Sequence, residues 1–319
     1  MTFSEKIDEY IRMKRYRLIN SILFWQDGEV LAENYYNGFG AQSRNVLCSV
    51  AKSILSLAAG IALDRGLLPG LDTPVADYIP AFREGRDPLH PCITIRHLLT
   101  MSSGIYWNGG IHYHCPMMEQ MRRSGNWLSH IADCTVANLP GTRHNYKEFD
   151  VILLTAVLEA VCGDLYDFID RELYTPLGIR SGRWYKSPCG VYYSVGDGKD
   201  TDENSSNLTA REMLQFGRLC LDGGIFEGQR IVSEEYLRAA TAPSDTDPGY
   251  GFLFWLGDDW YACRGYGGQR IHVFPEKRLL AVMQATPSSR GMAYDDVIWH
   301  GKELLEKLSH GNRDESLSP

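Results

Sequence analysis

The sequence predicts an α/β fold of the α+β type: one antiparallel sheet assembled from both ends of the chain, flanked by helices and interrupted by a helical insert. Three observations predict it. Short runs with strand character, separated by turn residues, occur near the start (Ile22 to Leu31) and again near the end (Phe252 to Gln284). Helical periodicity dominates the stretch between them. A composition of 44% hydrophobic and 23% charged residues over 319 positions supplies a sizeable core and argues against disorder.

Taken in order, Met1 to Asn20 is charged throughout and lacks the apolar stretch of a signal peptide, so the mature protein is expected to start near Met1, inside the cell. Ile22 to Phe24, the turn Asp27-Gly28, and Val30 onward predict a hairpin. From Ser49 the period becomes helical, with Ile54, Leu57, Ala58, Ile61 and Ala62 on one face and Gly66 placed as a C-terminal cap. Further helices are expected at Ile95 to Met101, Phe149 to Cys162 and Leu165 to Leu173.

Phe252 to Leu256, Trp260 to Arg264, Gln269 to Phe274 and Leu279 to Gln284 predict an antiparallel meander, followed by a helix from about Asp295 to Leu308. The expected organisation is a single unit over 1–319. Its α/β subregion covers about 1–66 and 212–309, its helical subregion about 67–211, and a mobile tail covers 311–319.

A net charge of -8 with no basic stripe excludes nucleic acid and anionic membrane as natural partners, and an oligomer is not indicated. No run approaches the roughly 18 apolar residues of a membrane span. The eight cysteines (Cys48, Cys92, Cys115, Cys134, Cys162, Cys189, Cys220, Cys263) form no C-x-x-C pair and are expected to be reduced and mostly buried, as in a cytoplasmic protein.

The chemistry centres on Ser49-Val50-Ala51-Lys52, which puts a hydroxyl and an ammonium on one helix face. A base beside a serine turns a weak alcohol into a nucleophile, and a helix start favours the negative charge that develops there. The competing reading is a serine N-cap followed by a surface lysine. For Lys52 to act as a base near neutrality its proton affinity must fall by about 3 pH units, through burial or a second cation. Tyr146, in the loop-to-helix corner Arg143 to Asp150, offers a partner for a shared proton, although most tyrosines only pack.

Several segments, in order, carry a resemblance. They are Cys48 to Ser53 with Leu63 to Leu68, Ile93 to Ile105, Asn145-Tyr146 with Phe149 to Leu154, Leu208 to Met213, Tyr250-Gly251-Phe252, and Gly265 to Gln269 with Pro275. Over about Ile22 to Gln284 the chain resembles the serine hydrolases related to class C β-lactamases and D-alanyl-D-alanine carboxypeptidases, a family that also holds esterases and amide hydrolases. The resemblance implies a β-lactamase/transpeptidase-like fold with Ser49 as nucleophile, Lys52 as its base partner and Tyr146 as proton shuttle. It also implies an oxyanion hole from the backbone N–H groups of Ser49 and Gln269. No metal or organic cofactor is implied.

Two positions depart from the family pattern. Where Tyr-x-Asn is common, the chain has Tyr146-Lys147-Glu148, so Glu148 is expected to bind Lys52 or the substrate, or else to be a solvated helix-start residue. Where a Lys- or His-x-Gly cation meets the substrate carboxylate, the chain has Tyr266-Gly267-Gly268, with Gly267 and Gly268 expected to leave room for substrate. Arg264 and Arg270 are nearby candidates for the missing cation, subject to strand alternation. An intracellular small-molecule ester or amide is therefore preferred to cell-wall peptides.

His112, His114 and Cys115 could offer metal ligands but lack companions, and a loop at the cleft is preferred. Asp197, Asp200, Asp202 and Glu203 suggest a solvated acidic loop, and Tyr106-Trp107 either a pocket wall or core packing. The rival functions are a β-lactamase or carboxypeptidase proper, and a non-catalytic binding protein in which Glu148 locks Lys52 as a cation.

Overall fold

The structure is a computed structural model describing residues 1–84, 86–110, 115–194, 206–288 and 293–315, with side chains as far as Leu308. Its strands are β1 (Ile19–Gln26), β2 (Glu29–Tyr35), β3 (Arg44–Val46), β4 (Tyr185–Lys186), β5 (Tyr192–Tyr193), β6 (Asn207–Thr209), β7 (Ile225–Phe226), β8 (Gln229–Arg230), β9 (Trp255–Leu256), β10 (Tyr261–Gly265), β11 (Gln269–Phe274) and β12 (Leu279–Ala285). Its α-helices are α1 (Phe3–Lys14), α2 (Val50–Asp64), α3 (Pro80–Arg83), α4 (Ile95–Leu99), α5 (Pro116–Arg123), α6 (Trp127–Ala132), α7 (Glu148–Cys162), α8 (Leu165–Ile169), α9 (Ala210–Leu221), α10 (Glu234–Ala240) and α11 (Asp295–Glu315).

The main sheet has the order β2-β1-β12-β11-β10-β9 and is antiparallel at every junction, so the first and last strands of the chain lie side by side at its centre. Alternation along each strand divides the core in two. Leu23, Trp25, Cys263, Ile271, Val273, Leu280 and Val282 face α2 and α9. Ile22, Phe24, Phe274, Ala281 and Met283 face the layer of α1 and α11. Gly301 lets α11 sit on Phe24, whose ring a Cβ there would meet at 2.3 Å.

The turn joining β1 to β2 holds both Asp27 (φ 50°) and Gly28 (φ 99°) in the left-handed region, the requirement that makes Asp-Gly a hairpin signal. Helix α2 is buried on all sides from Val50 to Ala62. It ends as expected at Gly66 (φ 70°): Gly66 donates to Leu63 and Leu67 to Ala62, a Schellman closure. The segment Leu208 to Met213 is a helix start, with Thr209 and Glu212 forming a capping box on α9 while Glu212 also receives Arg44 at 2.9 Å.

Several expectations require correction. Phe252 to Leu256 is strand only at Trp255–Leu256, because Leu253 turns the chain with φ 61° and donates its N–H to Leu99. The helix begun at Leu165 is regular only to Ile169 and then widens into a π-helical turn to Tyr174. Helix α11 continues to Glu315, past the end expected at Leu308 and into the segment expected to be a mobile tail; residues 316–319 lie outside the described residues. No disulfide joins the described cysteines, but only Cys220 and Cys263 are fully buried and Cys92 is exposed, because most occupy helix ends and loops rather than core positions.

Helix α1 is absent from the sequence-based expectations. Thr2 and Glu5 form its capping box, and Ile7 and Ile11 bury one turn apart against β2 and α11.

Candidate active site

Strand β3 delivers the chain to Ser49 through a strained step. Cys48 has φ 48°, unfavourable for a residue with a Cβ, and the carbonyls of Leu47 and Cys48 accept the N–H groups of Val50 and Ala51 to close the first turn of α2. Gly265, at the end of β10, makes this turn possible. A Cβ there would lie 2.4 Å from the Leu47 carbonyl oxygen and 3.3 Å from Cys48 Cβ, so only glycine lets the sheet approach the nucleophile turn so closely.

Ser49 occupies the N-cap position of α2, yet its own angles are helical and its side chain caps nothing. Its Oγ instead accepts a hydrogen bond of 2.8 Å from Lys52 Nζ. Lys52 is 1% exposed, and its ammonium also reaches Glu148 Oε1 at 2.7 Å. The surface-lysine reading is thereby excluded.

The Tyr146 corner rests on a platform built by α4 and the residues after it. Asn145 donates its N–H to the Met101 carbonyl (2.8 Å), Gly141 to Ser102 (2.8 Å), and the His144 ring bonds the Thr100 carbonyl at 3.1 Å. Residues on either side of Tyr146 and Glu148 point the other way. Lys147 and Asp150 are buried and meet at Ser103, whose Oγ donates to Asp150 Oδ1 (2.5 Å) and accepts from Lys147 Nζ (3.1 Å). The Ile93 to Ile105 segment thus holds the start of α7 so that Tyr146 and Glu148 face Ser49.

Tyr146 stands beside Lys52, whose Nζ lies 5.2 Å from the centre of its ring. Its ring stacks on Trp255 at 5.6 Å and meets Tyr250 edge-on at 6.2 Å. Burial raises the Tyr146 pKa and the Glu148 charge adds to this, with Lys52 and Ser49 opposing. Lys52 stands above the ordinary lysine range: burial disfavours its charge, but the Glu148 carboxylate and Tyr146 outweigh burial. This direction is opposite to the fall in proton affinity that action of Lys52 as a base requires.

Glu148 has both oxygens engaged, Oε1 by Lys52 and Oε2 by the Tyr193 hydroxyl at 3.0 Å, so it is not a solvated helix-start residue. Tyr193, on the two-residue strand β5, went unnoticed in the sequence. A buried tyrosine in so short a strand carries no periodic signal, and its partner lies 45 positions away. Trp255 and Tyr250, which frame Tyr146, were seen only as strand and motif residues.

On the sheet side, Gln269 begins β11 directly opposite Gly265, so it shares that glycine as neighbour with the Leu47–Cys48 backbone. Its buried side chain is fixed by the Ala285 carbonyl and by Asn45 at 3.1 Å. Gly267 (φ 74°) and Gly268 (φ 104°) are glycines for a different reason from the one expected. A Cβ would strike Pro287 at 2.6 Å and Tyr294 at 3.0 Å, which are protein and not open cleft. Tyr266 donates its hydroxyl to the Ser288 carbonyl.

Arg264 and Arg270 face each other across β10 and β11 and turn together toward Asp295. Arg270 is buried, paired with both Asp295 oxygens (2.6 and 3.0 Å) and with the Gly265 carbonyl, which removes it from the cleft. Arg264 lies over the Trp255 ring at 5.6 Å. Trp107 packs edge-on against Phe149 at 4.8 Å while Tyr106 is exposed. His112, His114 and the run from Asp197 to Glu203 lie outside the described residues. Among the described residues no cluster of three or more His, Cys, Asp or Glu could hold a metal ion, and no helix is long and apolar enough to cross a membrane.

The family model described as Beta-lactamase matches residues 13–299. The 6-aminohexanoate-dimer hydrolase of Paenarthrobacter ureafaciens is 26% identical over 251 residues, which cover 74% of this chain and 61% of that protein. Esterase EstB of Burkholderia gladioli is 32% identical over 145 residues, covering 42% of this chain and 36% of its own. This chain thus spans about three fifths and about a third of these two relatives. In fold it superposes on the penicillin binding protein from Bacillus halodurans with a TM-score of 0.71 and 20% identity, covering 92% of this chain and 99% of that one.

Proposed function

The chain belongs to the β-lactamase family, and from that premise we propose that it is a serine hydrolase cleaving a small ester or amide through an ester intermediate on Ser49. The observation that carries this reading is the buried ammonium of Lys52, which joins Ser49 Oγ at 2.8 Å to Glu148 at 2.7 Å. A surface lysine has no reason to be held in that way.

Ser49 Oγ attacks the carbonyl carbon and the carbonyl electrons move onto oxygen. The backbone N–H groups of Ser49 and Gln269 are the donors assigned to that oxyanion, at the positive end of α2. Tyr146 protonates the leaving group, and water then hydrolyses the ester by the same proton route in reverse. Relatives called a dimer hydrolase and an esterase support amide and ester substrates. Eight cysteines without a disulfide fit the cytoplasmic setting expected from the sequence.

A β-lactamase or D-alanyl-D-alanine carboxypeptidase is the second reading, favoured by a relative so named in Escherichia coli, 25% identical over 164 residues. Tyr266, standing where the resemblance expects a cation and engaged by Ser288, favours the first.

The test is intact-protein mass spectrometry after exposure to a fluorophosphonate, alongside p-nitrophenyl acetate turnover, for wild type and Ser49→Ala. Labelling and turnover both lost in the variant are expected. A folded wild type that takes no label overturns the reading.

A further inference from the structure

Every route to a reactive Ser49 begins with a difficulty. The group nearest its hydroxyl, Lys52 Nζ, is donating to it and has no lone pair to receive a proton. Tyr146 is the other neighbour and it too is protonated. The remaining contact of the Lys52 ammonium is a carboxylate, Glu148 Oε1, at 2.7 Å, closer than Ser49 itself.

We propose that Glu148 is the proton acceptor that frees Lys52 for nucleophile activation: Lys52 gives its own proton to Glu148 and then takes the one from Ser49. This rests on the Ser49 reading above and extends it. Lys52 first gives a proton to Glu148 Oε1, leaving a neutral amine and a carboxylic acid. As the bond from Ser49 Oγ to the carbonyl carbon forms and the carbonyl π pair moves to oxygen, the amine takes the Ser49 proton and becomes an ammonium again.

The leaving group departs with the Tyr146 proton. Lys52 replaces that proton on Tyr146, and Glu148 replaces it on Lys52, which restores the starting charges. One proton has moved from Ser49 to the leaving group, and no co-reactant is needed. In the second half water stands in for the leaving group, and its proton returns to Ser49 along the same path.

Glu148 is held from both sides. Tyr193 donates to Oε2 at 3.0 Å and keeps Oε1 turned to Lys52. The other titratable groups facing it are Tyr146 from the corner before α7, Tyr250 from the loop before β9, and Lys52 from α2. Arg122 on α5 acts on the Tyr193 side. The neighbouring Lys147 and Asp150 are turned away and satisfied at Ser103, so they do not compete for the proton.

The alternative is that Glu148 only pins Lys52 as a cation, and the two accounts predict opposite results for one substitution. Turnover of p-nitrophenyl acetate would be followed from pH 5 to 10 in wild type, Glu148→Gln, Glu148→Asp and Tyr193→Phe, with circular dichroism confirming the fold and fluorophosphonate labelling read in parallel. If Glu148 accepts the proton, Glu148→Gln loses about 10²- to 10³-fold at every pH, in the range of general-base contributions. Glu148→Asp then recovers part of the loss, and Tyr193→Phe lowers turnover by a smaller factor, because Oε1 is no longer held toward Lys52.

Activity in Glu148→Gln equal to or above wild type, with an acid limb moved to lower pH, would overturn the proposal, since it is the behaviour of a lysine freed from a pinning charge. Wild type without covalent label at Ser49 would instead overturn the acyl-enzyme reading, whatever Glu148→Gln does. If Glu148→Gln does not fold, Glu148→Asp with an unchanged rate, or Tyr193→Phe with an unchanged rate, overturns the proposal in its place.

Discussion

Gly265 decides how close the sheet comes to Ser49. A methyl at that position meets the Leu47 carbonyl oxygen, a backbone atom that cannot swing aside as a side chain could. Gly265→Ala is therefore expected to cost about 1–3 kcal/mol of stability and to slow fluorophosphonate labelling of Ser49, measured as a lower denaturation midpoint together with a smaller labelling rate. Unchanged labelling would show that the nucleophile turn does not depend on that approach. At this scale the sequence was informative about Ser49 and Lys52, because three-residue spacing on a helix puts both side chains on one face wherever the helix packs. It was silent about which tyrosine completes the site. Tyr146 was offered by its loop-to-helix corner and selected by the family resemblance, and Tyr193 was not reached, since the bonds that tie it to Glu148 and Glu148 to Lys52 join β5, α7 and α2, far apart in the chain.

At the level of elements, the start of α7 is clamped from behind. Lys147 and Asp150 are buried and separated by 3.8 Å, and Ser103 is the bridge between them. Ser103→Ala leaves an ion pair with one shared partner missing in a dry site, which is expected to cost about 1–3 kcal/mol and to lower kcat more than it raises KM, because Tyr146 and Glu148 sit on the loosened end. A urea melt and steady-state kinetics on p-nitrophenyl acetate check this, and a stability loss with unchanged kcat would confine Ser103 to packing. The hairpin, α2, β11 and β12 were legible in advance because their signals are local: a turn pair needing positive φ, an apolar run with a glycine stop, alternation between turns. Helix α1 carried an equally local signal in Thr2 and Glu5 that charge composition obscured, whereas the shortening of β9 follows from Leu253 being drawn to Leu99, a contact no local pattern encodes.

Across the molecule as a whole, stability depends on keeping some groups uncharged. His272 is buried on β11 among Trp260, Phe274 and Trp299. Burial lowers its pKa from the ordinary 6.5 to about 3, Asp295 opposing and Arg270 and Arg264 adding to the fall. The folded form thus resists protonation that the unfolded chain accepts, so this contribution is complete above about pH 6.5 and is lost progressively as pH falls toward 3, by at most ~1.4 kcal/mol per pH unit. Denaturant midpoints measured between pH 7 and 4 are expected to fall in wild type and to fall less steeply in His272→Leu; parallel curves would assign the acid sensitivity elsewhere. The central pairing of β1 with β12 has a further consequence for how the protein is made. Ser21 and Gln284, bonded at the middle of the sheet, are 263 positions apart. At about 5–20 residues per second, a ribosome releases the apolar helix behind Ser49 roughly 10–40 s before the strands that cover it exist. During translation that helix is the natural target of a holding chaperone, and Ser49 can meet Gln269 on β11 only after most of the chain has emerged.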